Sequence, residues 1–174
     1  MTEIHPYVEQ EGWECLIAAG MQVPAPPQFW IIEAIGRFYV KAAFEEDTVD
    51  KAPRPVLDPR WRIRRVIEAI KCCLAFARVL DADKNTSLEF AFRWTRLQGR
   101  VLRLGVPWRA LDEASSQKDD LLFPTALLKI AAEQADILDA AQHALAPLFY
   151  LFRERVLPRE SLEEEYRHFW GQSP

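Results

Sequence analysis

No stretch of this chain reads as a sustained alternation of apolar and polar residues, while helix start and stop signals recur along it. A half-buried strand needs period two and an amphipathic helix needs a period near 3.6. The pattern therefore predicts an all-α fold: a single-domain antiparallel helical bundle of about six helices over residues 1–174.

Punctuation sets the expected helix ends. The first helix is expected from about Pro6 to Ala19, closed by Gly20 and interrupted by Gly12. A proline-rich joint precedes a second helix over about Gln28 to Glu46. Asp58 followed by Pro59 supplies an N-cap acceptor and a proline at the first helical position, and opens a third helix reaching about Leu80. Thr86-Ser87-Leu88-Glu89 has the capping-box pattern and predicts a fourth helix, ended by Gly105 and Pro107. A long fifth helix is expected from Asp119 or Asp120 to Phe152, kinked or split at Pro147, with Ile137 in its apolar seam. Ser161-Leu162-Glu163-Glu164 predicts a short sixth helix with Leu162, Tyr166, Phe169 and Trp170 on one side.

With 49% hydrophobic residues in 174, the chain can build a core without metal or disulfide. Cys72 and Cys73 are adjacent and Cys15 stands alone, which is no disulfide framework. No signal-peptide pattern and no apolar run of about 20 residues is found, so a cytoplasmic protein without membrane insertion is expected.

The motifs that carry chemistry are absent. There is no Gly-rich phosphate loop, no nucleophile elbow and no H-E-x-x-H zinc pattern. His5, His143 and His168 form no ligand set, and one E-x-x-H at Glu165–His168 is half of what a di-iron bundle needs. No catalytic residue, cofactor or metal site is therefore assigned.

Charge is unevenly placed. Residues 1–57 carry a net −5, residues 58–109 a net +7 and residues 110–174 a net −6. On a fourth helix, Arg93, Arg96, Arg100 and Arg103 would form one stripe beside an apolar arc containing Trp94. On the third, Arg60, Arg64, Lys71 and Arg78 share a face. Arginine beside aromatic residues is the composition favoured at protein interfaces. The expectation is a small helical binding or regulatory module whose basic face meets an acidic protein partner or a second copy of itself. A nucleic-acid accessory role through the same residues is the alternative, opposed by a pI near 5.5. A helical enzyme with an unrecognised site stands third. Internal pairing with the acidic segments would instead leave the stripe without a role.

Overall fold

A computed structural model of the chain describes residues 7–9, 12–17, 27–33, 35–49, 56–102, 115–124, 127–152 and 156–171. Backbone packing divides it into two compact units, Met1–Pro55 and Val56–Pro174.

The first unit is a sheet. Strands β1 (Tyr7–Glu9), β2 (Gly12–Ile17), β3 (Gln28–Glu33) and β4 (Phe38–Ala42) pair antiparallel in chain order. A four-residue helix α1 (Glu46–Val49) follows. The sequence carries the reason. Phe29, Trp30, Ile31 and Ile32 face Lys41, Val40, Tyr39 and Phe38 across the ladder, and aromatic and β-branched residues suit a pleated surface. Gly36, at φ +85°, lies in the turn between them. Its N–H donates to the Glu33 carbonyl at 3.0 Å, and the Glu33 N–H donates to the Arg37 carbonyl at 2.8 Å. Trp30 and Phe38 meet edge to face at 5.2 Å, a diagonal cross-strand contact. Gly12 is required for closeness, because a Cβ there would stand 2.2 Å from the Ile32 carbonyl oxygen.

The second unit is mixed. Strand β5 (Val56–Leu57) leads into helix α2 (Pro59–Val79). Short strands β6 (Ser87–Leu88), β7 (Ala91–Trp94), β8 (Val101–Leu102), β9 (Leu121–Pro124) and β10 (Leu128–Lys129) follow, then helices α3 (Gln134–Tyr150) and α4 (Arg159–Trp170). The strands pair in twos: β5 with β8 in parallel, β7 with β9 and β6 with β10 antiparallel.

Helix α2 begins as its sequence predicts. The Asp58 carboxylate accepts the Arg60 N–H at 2.9 Å, with Pro59 at the first helical position. Ile63, Ile67, Ile70 and Leu74 recur at spacings of four, three and four and are each at most 1% exposed. They share the core with Ala141, Leu145 and Leu148 of α3, Leu162 of α4, Leu57 and Phe152. Full burial of each large aliphatic side chain contributes about 1.5–3 kcal/mol.

The all-α bundle of about six helices is therefore wrong. Among the described residues there are three long helices, one four-residue helix and ten strands. The first two expected helices are strands of one sheet. The expected fourth helix is β6, β7, a turn and β8. Residues 88–94 in fact alternate, with Leu88, Phe90, Phe92 and Trp94 half-buried or buried and Glu89, Ala91 and Arg93 exposed. The rings of Phe90, Phe92 and Trp94 stack in series at 6.5 and 5.9 Å, as residues two apart on one strand face do. The expected fifth helix loses its first part to β9 and β10, and α3 runs through Pro147 without splitting. Helix α4 starts two residues before Ser161, with Pro158 at the N-cap, so the Ser161 capping box does not form.

Candidate binding face of helices α2 and α4

The basic residues picked out by sequence do not form one stripe. Arg93 lies exposed on β7, and its guanidinium pairs with the Asp120 carboxylate. That pairing lowers the Asp120 pKa below the usual carboxylate value, chiefly through the hydrogen bond from Arg93. Trp94, the next residue, points the other way and is buried at 7% exposure. Arg96 sits in the following turn at φ +58°. Its carbonyl accepts a hydrogen bond from Arg100 Nε at 2.7 Å. Arg100 is 3% exposed and also donates to the Val56 carbonyl at 3.4 Å, so it joins the β8 turn to β5. Arg103 lies outside the described residues. A helical period of 100° cannot align these residues, because residues 93–100 are strand and turn.

The residues of α2 fare differently. Arg60 pairs with Asp58 at 2.8 Å, which raises the Arg60 pKa through the side-chain hydrogen bond and the opposite charge. Arg78 donates from Nε and Nη2 to the Ile130 carbonyl at 3.2 and 2.9 Å, and reaches the Ala132 carbonyl at 3.3 Å. Both residues are committed to the fold.

Arg64 and Lys71 meet aromatic rings instead. They lie seven residues apart on α2 and are both half-buried. The Arg64 guanidinium carbon sits 4.3 Å from the Phe169 ring centre and 5.2 Å from that of Trp61. Lys71 Nζ lies 4.9 Å from the Tyr166 ring centre and 5.1 Å from that of Trp170, and donates to the Tyr166 hydroxyl at 3.4 Å. Neither cation has a carboxylate within ion-pair distance among the described residues. Their neighbour Arg65 pairs with Glu68 at 2.9 Å.

Helix α4 supplies the rings because of where its few apolar residues fall. Leu162 is its one fully buried anchor among the described residues. Tyr166, Phe169 and Trp170 recur at spacings of three and four beyond that anchor, so they reach α2 along the same side. Tyr166 and Trp170 contact each other at 5.6 Å, and the His168 ring meets Phe169 edge-on at 4.7 Å. Glu165 is held above the ordinary carboxylate pKa by burial, against the opposing charges of Arg60 and His168. The grouping of these aromatics was legible in sequence. Their pairing with Arg64 and Lys71 was not, because 95 residues separate Lys71 from Tyr166.

A cleft of about 440 Å³ lies between the start of α3 and α4, lined by Glu133, Gln134, Leu138, Arg159, Glu163 and Arg167. Arg159 in it already pairs with Asp139 and Glu163. Among the described residues no group of three or more His, Cys, Asp or Glu side chains could hold a metal ion. No helix among them is long and apolar enough to cross a membrane.

No protein-family model, no curated protein and no solved structure matches the chain.

Proposed function

We propose that the chain is a binding or regulatory module that acts through contact with another protein, using the face that α2 and α4 build together. One observation carries this reading: Arg64 and Lys71 are held against aromatic rings with no carboxylate within ion-pair distance among the described residues, while Arg60, Arg65 and Arg93 each have one. Arginine beside aromatic rings, as at Arg64, is the composition favoured in protein contacts. A preordered cation also loses less side-chain entropy on binding than a free one. Arg93 pairs with Asp120 and Trp94 and Arg100 are buried, so these three residues drop out of this surface.

The test compares the parent chain with the Arg64→Gln/Lys71→Gln double variant in affinity capture from extract of its native cells. Both are run at low and high salt, with and without nuclease. A protein that survives nuclease, binds the parent and is lost by the double variant supports the reading. A ligand lost to nuclease favours nucleic acid, and equal capture by both proteins places the binding surface elsewhere. Sedimentation of the two proteins separates self-association from a foreign partner.

A further inference from the structure

Resting on that reading, we infer that the α2–α4 face takes an acidic helix whose carboxylates stand two turns apart, with Arg64 as the anchor and Lys71 as the second contact.

The geometry of each cation sets its task. Arg64 lies over two rings, and none of its guanidinium N–H groups donates a hydrogen bond to a described residue. A guanidinium that meets rings and keeps its donors unspent presents a planar fork, from which a carboxylate accepts two hydrogen bonds side by side. Lys71 spends one donor on the Tyr166 hydroxyl and keeps two. It offers a point charge rather than a fork.

Their separation selects the partner's backbone. Seven residues of helix rise about 10.5 Å and turn almost two full circles, so both cations face one way. An acidic helix lying along α2 meets this spacing with carboxylates seven residues apart on its own single face. An extended segment covers the same distance in about three residues, and residues three apart on a strand point to opposite sides. Its same-side positions fall near 7 and 13 Å and miss one cation or the other. Charge complementarity thus names an acidic helix, and spacing separates it from an acidic strand.

The experiment uses the full chain and three monomeric helical peptides of about 20 residues. One carries two glutamates seven apart, one carries them five apart on different faces, and one carries glutamine instead. Binding is read from the NMR shift of Arg64 Nε–H and from Trp fluorescence at low salt. The seven-spaced peptide should bind at least about threefold tighter than the five-spaced one, the scale of one exposed ion pair. Arg64→Lys should weaken it as Arg64→Gln does, because the fork is lost, whereas Lys71→Arg should retain it. Unchanged circular dichroism of these variants shows that the fold is intact.

Equal binding of the two acidic peptides, both lost in Arg64→Gln, overturns the helix spacing and leaves the protein-binding reading standing. No peptide shift, with a captured partner that still needs Arg64, overturns the acidic helix as well. A short single-stranded oligonucleotide that shifts Arg64 Nε–H more than any peptide overturns it in favour of phosphate. Capture of partners that ignores both cations removes the face itself.

Discussion

The Arg78 guanidinium near the end of α2 grips the carbonyl of Ile130, 52 residues further along the chain, through both Nε and Nη2. A third contact reaches the Ala132 carbonyl. Ile130 and Ala132 lie between β10 and the start of α3 and are 3% and 9% exposed. These carbonyls have little access to water, so the arginine satisfies acceptors that the β10–α3 bend leaves open.

Arg78→Gln is expected to cost about 1–3 kcal/mol, the range for leaving a buried acceptor without its partner. Lys129→Gln, an exposed neighbour of the same bend, should stay within about 0.5 kcal/mol. Denaturant midpoints of the two variants check the contrast, and equal midpoints would show that Arg78 is a surface charge.

The strand at residues 91–94 makes adjacent residues opposite in consequence. Trp94→Ala should cost about 3–5 kcal/mol, because Trp94 is buried against Phe92 and the core. Arg93→Gln should leave the melting midpoint nearly unchanged, because its partner Asp120 is exposed. Similar losses at both positions would contradict the β7–β9 register.

Glu165 sets a pH dependence of definite sign. Burial raises its folded pKa above the unfolded value, with Asp58 and Glu164 adding to the rise while Arg60 and His168 oppose it. In the window just above the ordinary carboxylate pKa, the folded state binds more protons than the unfolded state. Stability contributed by this group therefore falls as pH rises through that window. Glu165→Gln should raise the melting midpoint at pH 7 and leave it unchanged near pH 3, where both side chains are neutral. A gain of equal size at both pH values would assign the effect to packing.

The vicinal cysteines should react unequally. Burial, with a smaller contribution from Cys72, pushes the Cys73 thiol up to about 11. Cys72 is also raised, chiefly by burial, yet its residue is exposed. At pH 8 only about one Cys73 in a thousand is thiolate, and the thiolate is the nucleophile. Iodoacetamide followed by peptide mapping should label Cys72 well before Cys73. Faster labelling of Cys73 would mean that α2 opens there.

Local sequence was enough where the chemistry is local. Asp58 and Pro59 open α2 because an acceptor and a missing N–H suit that end whatever packs later, and the turn at Asp81 closes it. The aromatic grouping on α4 was equally legible. Residues 88–104 carry two periods at once: Leu88, Phe90, Phe92 and Trp94 fit a strand, while Phe90, Trp94, Leu97, Val101 and Leu104 fit a helix. Pairing with Leu121–Pro124 decides between them, because β7 gains its ladder from a segment 27 residues away that no local window contains. The same holds for residues 28–42, where a helix over this stretch would leave Gly36 in its interior and the hairpin places it at positive φ. Which cations meet rings and no carboxylate among the described residues was likewise only partly legible in the sequence. Asp58 stands two residues from Arg60, but folding alone brings Asp120 to Arg93 and the rings of α4 to Arg64 and Lys71. Propensity and capping depend on neighbours in the chain, whereas strand pairing and charge compensation depend on neighbours in space.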